Sequence, residues 1–228
     1  MTIFLTGATE HQTLNWNDKL EIQIFNAKNK EISVNGKKYN LESERNKIDA
    51  IIDLKSVGNK LKYSDLHIFS NEISKQLTEV KPFRNYKILN WEEINKMNEC
   101  GIEFGAHSIS HPGLSAQDED VINYEIGEIK KVIEEKTGNI VTSFSYPTGL
   151  YTDICVRVVK EKGYYCAVTS HYGFNKKLNL YELERIAIGK HLSFPLFVLN
   201  LITPLHKIDR FMFNLYHKLF KPLMSFIH

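Results

Sequence analysis

Apolar residues recur at helical spacing in the second half of the chain, and short apolar runs separate these stretches. Ile122, Ile126, Ile129 and Ile133 lie three or four positions apart until Gly138 closes the pattern. Short strands of four to six residues are predicted at residues 2–5, 102–106, 141–145, 164–169 and 184–188. Because strands alternate with helices in this region, the pattern predicts parallel βα units.

Residues 15–87 have a different pattern, rich in lysine and asparagine and weaker in apolar periodicity. Asn35-Gly36 lies between two alternating segments and predicts a β-hairpin, since both turn residues need a positive φ. Two helices are predicted next, with apolar faces at Ile48, Ile51 and Ile52 and then at Leu66, Phe69, Ile73 and Leu77. We interpret this region as an α/β insertion beside the main domain, with charged, solvated helix faces.

Capping signatures mark where two later helices begin. Asn90 is followed three residues on by Glu93, and Ser115 by Asp118, which predicts a capping box at each position. Gly101 and Gly138 are the expected ends of these helices.

Length and composition restrict the class of protein. With 228 residues, 43% of them hydrophobic, the chain can bury one sizeable core. The net charge of +2 gives no general signal for polyanions, so no nucleic-acid partner is expected. Cys100, Cys155 and Cys166 lie in apolar patterns and are expected to be reduced core residues. No secretory signal or membrane-spanning run is visible, which favours a cytoplasmic location.

His107 and His111 follow the apolar run at 102–106 and are the first candidates for chemistry. Two neutral imidazoles four residues apart can bind one metal ion, zinc above all. On the pair alone, an equally good interpretation is that His107 hydrogen-bonds within a turn and His111 caps the turn at Pro112.

Two further turns favour a functional rim. The segments 146–149 (Tyr-Pro-Thr-Gly) and 170–172 (Ser-His-Tyr) also follow predicted strands. Since parallel strands place their carboxyl ends at one edge, the three turns are expected to converge where α/β enzymes keep their active sites.

The order of these motifs resembles the polysaccharide deacetylases of carbohydrate esterase family 4. The resemblance rests on Gly-Ile-Glu-Phe-Gly-Ala-His-Ser-x-x-His-Pro-x-Leu, Ser-Phe-Ser-Tyr-Pro-x-Gly and Gly-Tyr-x-x-Ala-Val-Thr, which succeed one another with helices between them. It covers about residues 88–190 together with residues 2–7, which look like the family's second strand.

This resemblance implies an α/β fold, an incomplete distorted (β/α)7 barrel, that binds one divalent metal, usually zinc. It implies His107 and His111 as metal ligands, the backbone N–H of Thr148 as an oxyanion donor, and Tyr146 and Pro147 as substrate-binding residues. Arg185 is a possible orienting residue, because Ser145 stands where many members have arginine. The implied activity is hydrolysis of N-acetyl groups on a polysaccharide or an N-acetylated sugar of a cell envelope polymer.

The chain also departs from the family pattern. The family's Thr-Phe-Asp-Asp-Gly motif, which supplies a metal ligand and the base, has no counterpart, and Asp18, Asp49 and Asp53 lie in a different context. His171 and His191 are weak candidates for the family's general acid. We therefore expect a chain that is incomplete at its amino end and that is inactive or a very poor enzyme. The alternative is a non-catalytic carbohydrate-binding or scaffold remnant of a deacetylase.

The end of the chain is predicted to form a separate segment. We place the deacetylase-like domain at residues 1–193 and an amphipathic helical tail at 194–228. Within 206–228 apolar residues fall on one helical side and basic residues roughly opposite, which is typical of helices at a membrane surface. Packing of this helix back on the barrel, or action as a membrane-associated partner of a glycan-export system, are the alternatives.

Overall fold

The computed structural model describes residues 1–77, 87–175 and 178–186, together with residues 188, 194, 197 and 198. Its strands are β1 Thr2–Leu5, β2 Glu31–Val34, β3 Lys37–Asn40, β4 Glu103–Ala106, β5 Ser143–Ser145, β6 Cys166–Tyr172 and β7 Leu183–Arg185. Its helices are α1 Ala8–His11, α2 Trp16–Phe25, α3 Glu44–Gly58, α4 Tyr63–Gln76, α5 Trp91–Glu99, α6 Glu119–Thr137 and α7 Asp153–Glu161.

Five strands form one parallel sheet in the order β1-β4-β5-β6-β7. Each crossover after β4 that is described in full carries a helix, α6 between β4 and β5 and α7 between β5 and β6. The prediction of parallel βα units is therefore confirmed. The fold is α/β, an open parallel sheet of the incomplete (β/α) barrel type.

One hydrophobic cluster joins the sheet to helices α5, α6 and α7. Apolar side chains from alternate strand positions meet the isoleucine stripe of α6, and all four predicted isoleucines are at most 1% exposed. Asn90 and Glu93 form the predicted capping box of α5, and Gly138 ends α6 in the left-handed conformation. This packing fixes the direction of the strands and therefore the rim at which they end.

The insertion has a hydrophobic cluster of its own. The predicted hairpin is confirmed as β2 and β3, with positive φ at Asn35 and Gly36. The predicted apolar face of α4 is buried, but of the residues predicted for α3 only Ile51 is buried, together with Ala50, Leu54 and Gly58. Ile48 and Ile52 are 41% and 62% exposed, because the helix presents its other side to the cluster.

The two clusters are joined by close contacts between α3, α4 and the segment before α6. Gln117 donates to the carbonyl of Leu61 and accepts from the backbone N–H of Tyr63, both at 2.9 Å. A Cβ on Gly113 would lie 2.0 Å from the backbone oxygen of Asn59, so only glycine permits this approach.

The predicted capping box at Ser115 and Asp118 is wrong. Asp118 precedes α6 but makes no side-chain capping bond, and its carboxylate pairs with Lys62 at 2.8 Å. The cysteine prediction is also only partly right, since all three thiols are free but Cys100 is exposed.

Within the residues that the structure describes, no helix is long and apolar enough to cross a membrane. The predicted tail helix at 206–228 and its membrane contact lie outside the described residues, as does His191. The tail helix, its membrane contact and the role of His191 stay predictions.

Candidate functional site

The two histidines lie on the loop that leaves β4. His107 donates its backbone N–H to the carbonyl of Leu5 at 2.8 Å, and Gly7 donates to the carbonyl of Ile109 at 2.9 Å. The loop is therefore fixed to the end of β1. Within it, Ser108 and His111 have φ values of 64° and 58°, a left-handed conformation that non-glycine residues seldom adopt.

The imidazole rings of His107 and His111 face each other edge to face, with their Nε2 atoms 3.2 Å apart. His107 Nδ1 lies 2.6 Å from the carbonyl oxygen of Ser145. A carbonyl can only accept, so His107 carries its proton on Nδ1 and leaves Nε2 with a free lone pair. In the metal-free chain the proton between the two rings therefore belongs to His111 Nε2, which leaves His111 Nδ1 as an acceptor.

Two features of this arrangement fit the binding of one metal ion. Two nitrogen ligands on a tetrahedral zinc, each about 2.0–2.1 Å from the ion, are about 3.3 Å apart, close to the 3.2 Å observed. The bond from His107 Nδ1 to a carbonyl is the support that metal-binding histidines usually have. His111 Nδ1 is buried and has no hydrogen-bond partner. Among the described residues, however, no three histidine, cysteine or acidic side chains form a metal-binding group.

Burial keeps both imidazoles neutral well below neutral pH. Desolvation, together with smaller contributions from the nearby His111 and Arg185, lowers the pKa of His107 to about 4, against the opposing effect of the bond to Ser145. Desolvation likewise lowers the pKa of His111 to about 4, with a smaller contribution from Lys55. Neutral imidazole is the form that binds metal.

The first turn of α2 packs against this loop, although it belongs to the insertion. Trp16 Nε1 donates to the carbonyl of His111 at 3.0 Å, and Asn15 Nδ2 donates to Thr6 Oγ1 at 3.2 Å. Asp18, in the same turn, is partly buried and interacts electrostatically with His107; burial raises the pKa of its carboxyl. Asp18 therefore interacts with His107 although its sequence context does not match the family motif, whereas Asp53 binds Lys37 and Tyr39 within the insertion.

The turn after β5, at residues 146–149, depends on the glycine at its end. Thr148 has a φ of 57° and Gly149 a φ of 74°, and a Cβ on Gly149 would lie 1.7 Å from Ser170 Oγ. Thr148 is exposed, and its carbonyl accepts from Ser170 Oγ at 3.1 Å. The glycine thus allows the turn to press against the end of β6.

Tyr146 and Pro147, predicted to contact substrate, are both buried. Tyr146 is 1% exposed, its hydroxyl donates to the carbonyl of Tyr181 at 3.0 Å, and its ring stacks on Tyr151 with centroids 4.3 Å apart. Its contact with a substrate stays a prediction that this burial disfavours.

Arg185 and His171 lie on the last two strands at the same rim. Arg185 Nε donates to the carbonyl of Thr169 at 2.6 Å, and its charge acts on His107. His171 is exposed and its ring lies 6.2 Å from that of Tyr151. The role of Arg185 as an orienting residue stays a prediction.

Sequence reasoning missed three residues near the histidines, Trp16, Asp18 and Glu125. Trp16 and Asp18 are about ninety positions from the histidines, and nothing in a single sequence marks such a contact. Glu125 is 1% exposed on α6, where it occupies the isoleucine stripe, three positions after Ile122. A carboxylate on an apolar stripe is a signal that could have been noticed.

A family model and several known proteins match part of the chain. A family model, Polysaccharide deacetylase, matches residues 66–167. Over 103 residues the chain is 26% identical to YxkH of Bacillus subtilis (strain 168), whose assigned name is that of a polysaccharide deacetylase. This match covers 45% of the chain and 37% of the relative.

Two solved structures are similar at low identity. The Streptococcus pyogenes deacetylase PplD, in complex with acetate, gives a TM-score of 0.49 at 22% identity, over 53% of this chain and 54% of that one. BC0361, a polysaccharide deacetylase from Bacillus cereus, gives 0.47 at 20% identity, over 59% and 47%. The chain thus spans about half of these structures and little more than a third of YxkH. Over residues 66–167, a little under half of its length, the chain matches the family model of the polysaccharide deacetylases.

Proposed function

We propose that this chain is a metal-dependent hydrolase that removes N-acetyl groups from a glycan. The observation that carries the proposal is the convergence of His107 Nε2 and His111 Nε2, 3.2 Å apart, at the strand ends of a chain that matches the polysaccharide deacetylase model over residues 66–167. The two nitrogens would hold a divalent ion, and zinc suits this donor set.

Such an ion supplies Lewis acidity, which polarises an amide carbonyl and lowers the pKa of bound water. The chain's own residues supply orientation and charge. Ser145 fixes the ring of His107, and burial keeps both imidazoles neutral. The exposed Thr148 would offer its backbone N–H to the oxygen that becomes negative during hydrolysis.

Asp18 is our candidate for the acid–base group, and Arg185 for the residue that orients it. Burial raises the pKa of the Asp18 carboxyl, which moves it toward the range in which a carboxylate can accept a proton near neutral pH. Both Asp18 and Arg185 act electrostatically on His107.

A cavity of about 420 Å³ beside the histidine loop supports a sugar as the substrate. Ile109 and Ser110 of the loop line it together with Trp16, and Tyr63 and Tyr124 are 49% and 57% exposed at its walls. Aromatic faces combined with a few polar groups are the usual lining for a small polar ligand such as a sugar ring.

The test is acetate release from N-acetylglucosamine oligomers by the zinc-loaded chain, with His107→Ala, His111→Ala and Asp18→Asn. We expect the histidine variants to lose activity and zinc, and Asp18→Asn to lose roughly 100-fold in rate. Asp49→Asn, at an exposed position of α3, is the control and should keep its activity. A chain that binds no zinc and releases no acetate would contradict the proposal.

A second candidate function, non-catalytic carbohydrate binding, is favoured by the lack of a three-donor metal group among the described residues. In that case the oligomers bind equally well with and without zinc, and no acetate forms. Binding measured by calorimetry in both conditions separates the two candidates.

Membrane contact through residues 206–228 is a further part of the proposal, supported by their amphipathic pattern alone. Co-sedimentation with anionic vesicles tests it, against a chain that ends at Ser193. Equal sedimentation of the two chains would contradict it.

A further inference from the structure

Glu125 is a buried carboxylate on the sheet-facing side of α6, and its hydrogen bonds all go to the loop between the two histidines. Oε2 accepts the backbone N–H groups of Ile109 and Ser110, both at 2.9 Å. Oε1 accepts the hydroxyl of Ser110 at 2.5 Å. The side chain therefore binds three donors from two consecutive residues.

Burying a carboxylate is costly unless strong hydrogen bonds replace its water. Burial raises the pKa of Glu125, while the donors of Ser110 and Ile109 act in the opposite direction. An apolar residue at this position would continue the isoleucine stripe and avoid the cost. The contacts of Glu125 indicate a role other than core stability, because one carboxylate oxygen binds the backbone N–H groups of two consecutive loop residues.

The loop that Glu125 binds has a conformation that needs outside support. Ser108 and His111, on either side of Ile109 and Ser110, both have left-handed φ values, which cost free energy for residues other than glycine. His111 is one of them, so the direction of its ring depends on this backbone conformation.

We propose that Glu125 is a positioning residue for His107 and His111: by binding the amides of Ile109 and Ser110, it holds the loop in the conformation in which the two Nε2 atoms converge. This inference rests on the proposed function, since it concerns the same metal-binding pair. Glu125 does not touch the pair itself; it acts through the loop.

Glu134 offers a matched control on the same helix. Its Oε1 accepts the backbone N–H of Val141 at 2.9 Å and so also anchors a loop to α6, but at the other end of the sheet. Removal of either carboxylate deletes an amide acceptor, and only the removal of Glu125 affects the histidine loop.

The experiment measures zinc dissociation constants by calorimetry, and thermal unfolding, for the full chain and for four variants. We expect Glu125→Ala to raise the zinc dissociation constant by about 10- to 100-fold, the usual effect of losing a group that orients metal ligands. Glu134→Ala should lower the melting temperature with unchanged zinc affinity. Glu125→Gln, whose amide oxygen can still accept the two N–H groups, should recover most of the affinity, and Ser110→Ala should lose a part of it.

Parent-like zinc affinity in Glu125→Ala, with a stability loss like that of Glu134→Ala, would overturn the inference. If Glu125→Ala does not fold, Ser110→Ala decides, and unchanged affinity in that variant would overturn it. If the parent itself binds no zinc, the proposed function fails, and hydrogen exchange at the Ile109 and Ser110 amides tests the positioning alone. Faster exchange there in Glu125→Ala than in Glu134→Ala supports the inference, and equal exchange overturns it.

Discussion

The sheet region and the insertion differ in how they relate to the candidate site. The sheet region provides both histidines, the turn at 146–149 and Arg185, all at the ends of parallel strands. The insertion has its own buried cluster, yet its helix α2 places Trp16 against the carbonyl of His111 and Asp18 within electrostatic range of His107. An element that the sequence marks as peripheral is therefore part of the surroundings of the site.

The largest loss of unfolding free energy should come from substitutions at the centre of each hydrophobic cluster. Ile24 in the insertion and Ile126 in α6 are both 0% exposed, so Ile24→Ala and Ile126→Ala should each cost about 2–5 kcal/mol of unfolding free energy. The chain has two tryptophans, and Trp16 lies against the insertion cluster and Trp91 against the sheet cluster. Fluorescence of single-tryptophan chains follows the two regions separately.

Because close contacts join the clusters at Gly113 and Gln117, we expect both tryptophans to report one shared transition in each variant. A Trp91 transition that Ile24→Ala leaves unmoved would show two independent units. Ile52→Ala, at an exposed site of the insertion, is the control and should change stability by less than about 0.5 kcal/mol.

The second prediction concerns how the stability of the metal-free chain depends on pH. The unfolded chain holds its histidines near their usual pKa of about 6.5, whereas folding lowers the pKa of His107 to about 4. The unfolded state thus binds more protons between these values, so stability is fully present above pH 6.5 and is lost as pH falls toward 4. One such histidine contributes about 3 kcal/mol.

Chemical denaturation between pH 4 and 8 in a chelator measures this dependence. His107→Asn, which can still donate to Ser145, should flatten the curve, and His67→Asn at an exposed site of the insertion should not. Raised pKa values at Asp18 and Glu125 act in the opposite direction, because they add stability as pH falls. An unchanged curve in His107→Asn would contradict the assignment.

The third effect concerns the junction between the regions. Gly113→Ala places a Cβ 2.0 Å from the backbone oxygen of Asn59, so α3 and the histidine loop must separate. We expect a loss of about 2 kcal/mol in unfolding free energy and weaker zinc binding. In the control Gly127→Ala, the added Cβ meets only the flexible end of Lys162 at 3.0 Å, and a loss as large as that of Gly113→Ala would refute the steric explanation.

The smallest predicted loss of stability comes from removing the side-chain hydrogen bond of either tryptophan. Trp16→Phe removes the donor to the His111 carbonyl, and Trp91→Phe removes the donor to Glu10, so each should cost about 1 kcal/mol. Only Trp16→Phe should also raise the zinc dissociation constant. Equal zinc affinity in the two variants would mean that the insertion does not support the site.

Sequence patterns predicted the sheet region well because its signals are local. The isoleucine stripe of α6, the capping box at Asn90 and the glycine stops each depend on neighbours within a turn or two. The face of α3 was misjudged, because two isoleucines outweighed the smaller Ala50 and Gly58 that the packing buries. The contacts of Trp16 and Asp18 with the histidine loop join residues far apart in the chain, and periodicity contains no information about them.

The hydrogen bond between the two Nε2 atoms has a consequence for how fast the pair can bind an ion. The proton of this bond sits on His111 Nε2, one of the two atoms that would bind an ion, whereas His107 Nε2 carries no proton and accepts the bond. Before both nitrogens can bind, the proton must leave Nε2, and the neutral ring must take one up at the buried Nδ1. Metal capture by this chain should therefore be slower than diffusion allows, and its rate should depend on how often water reaches His111.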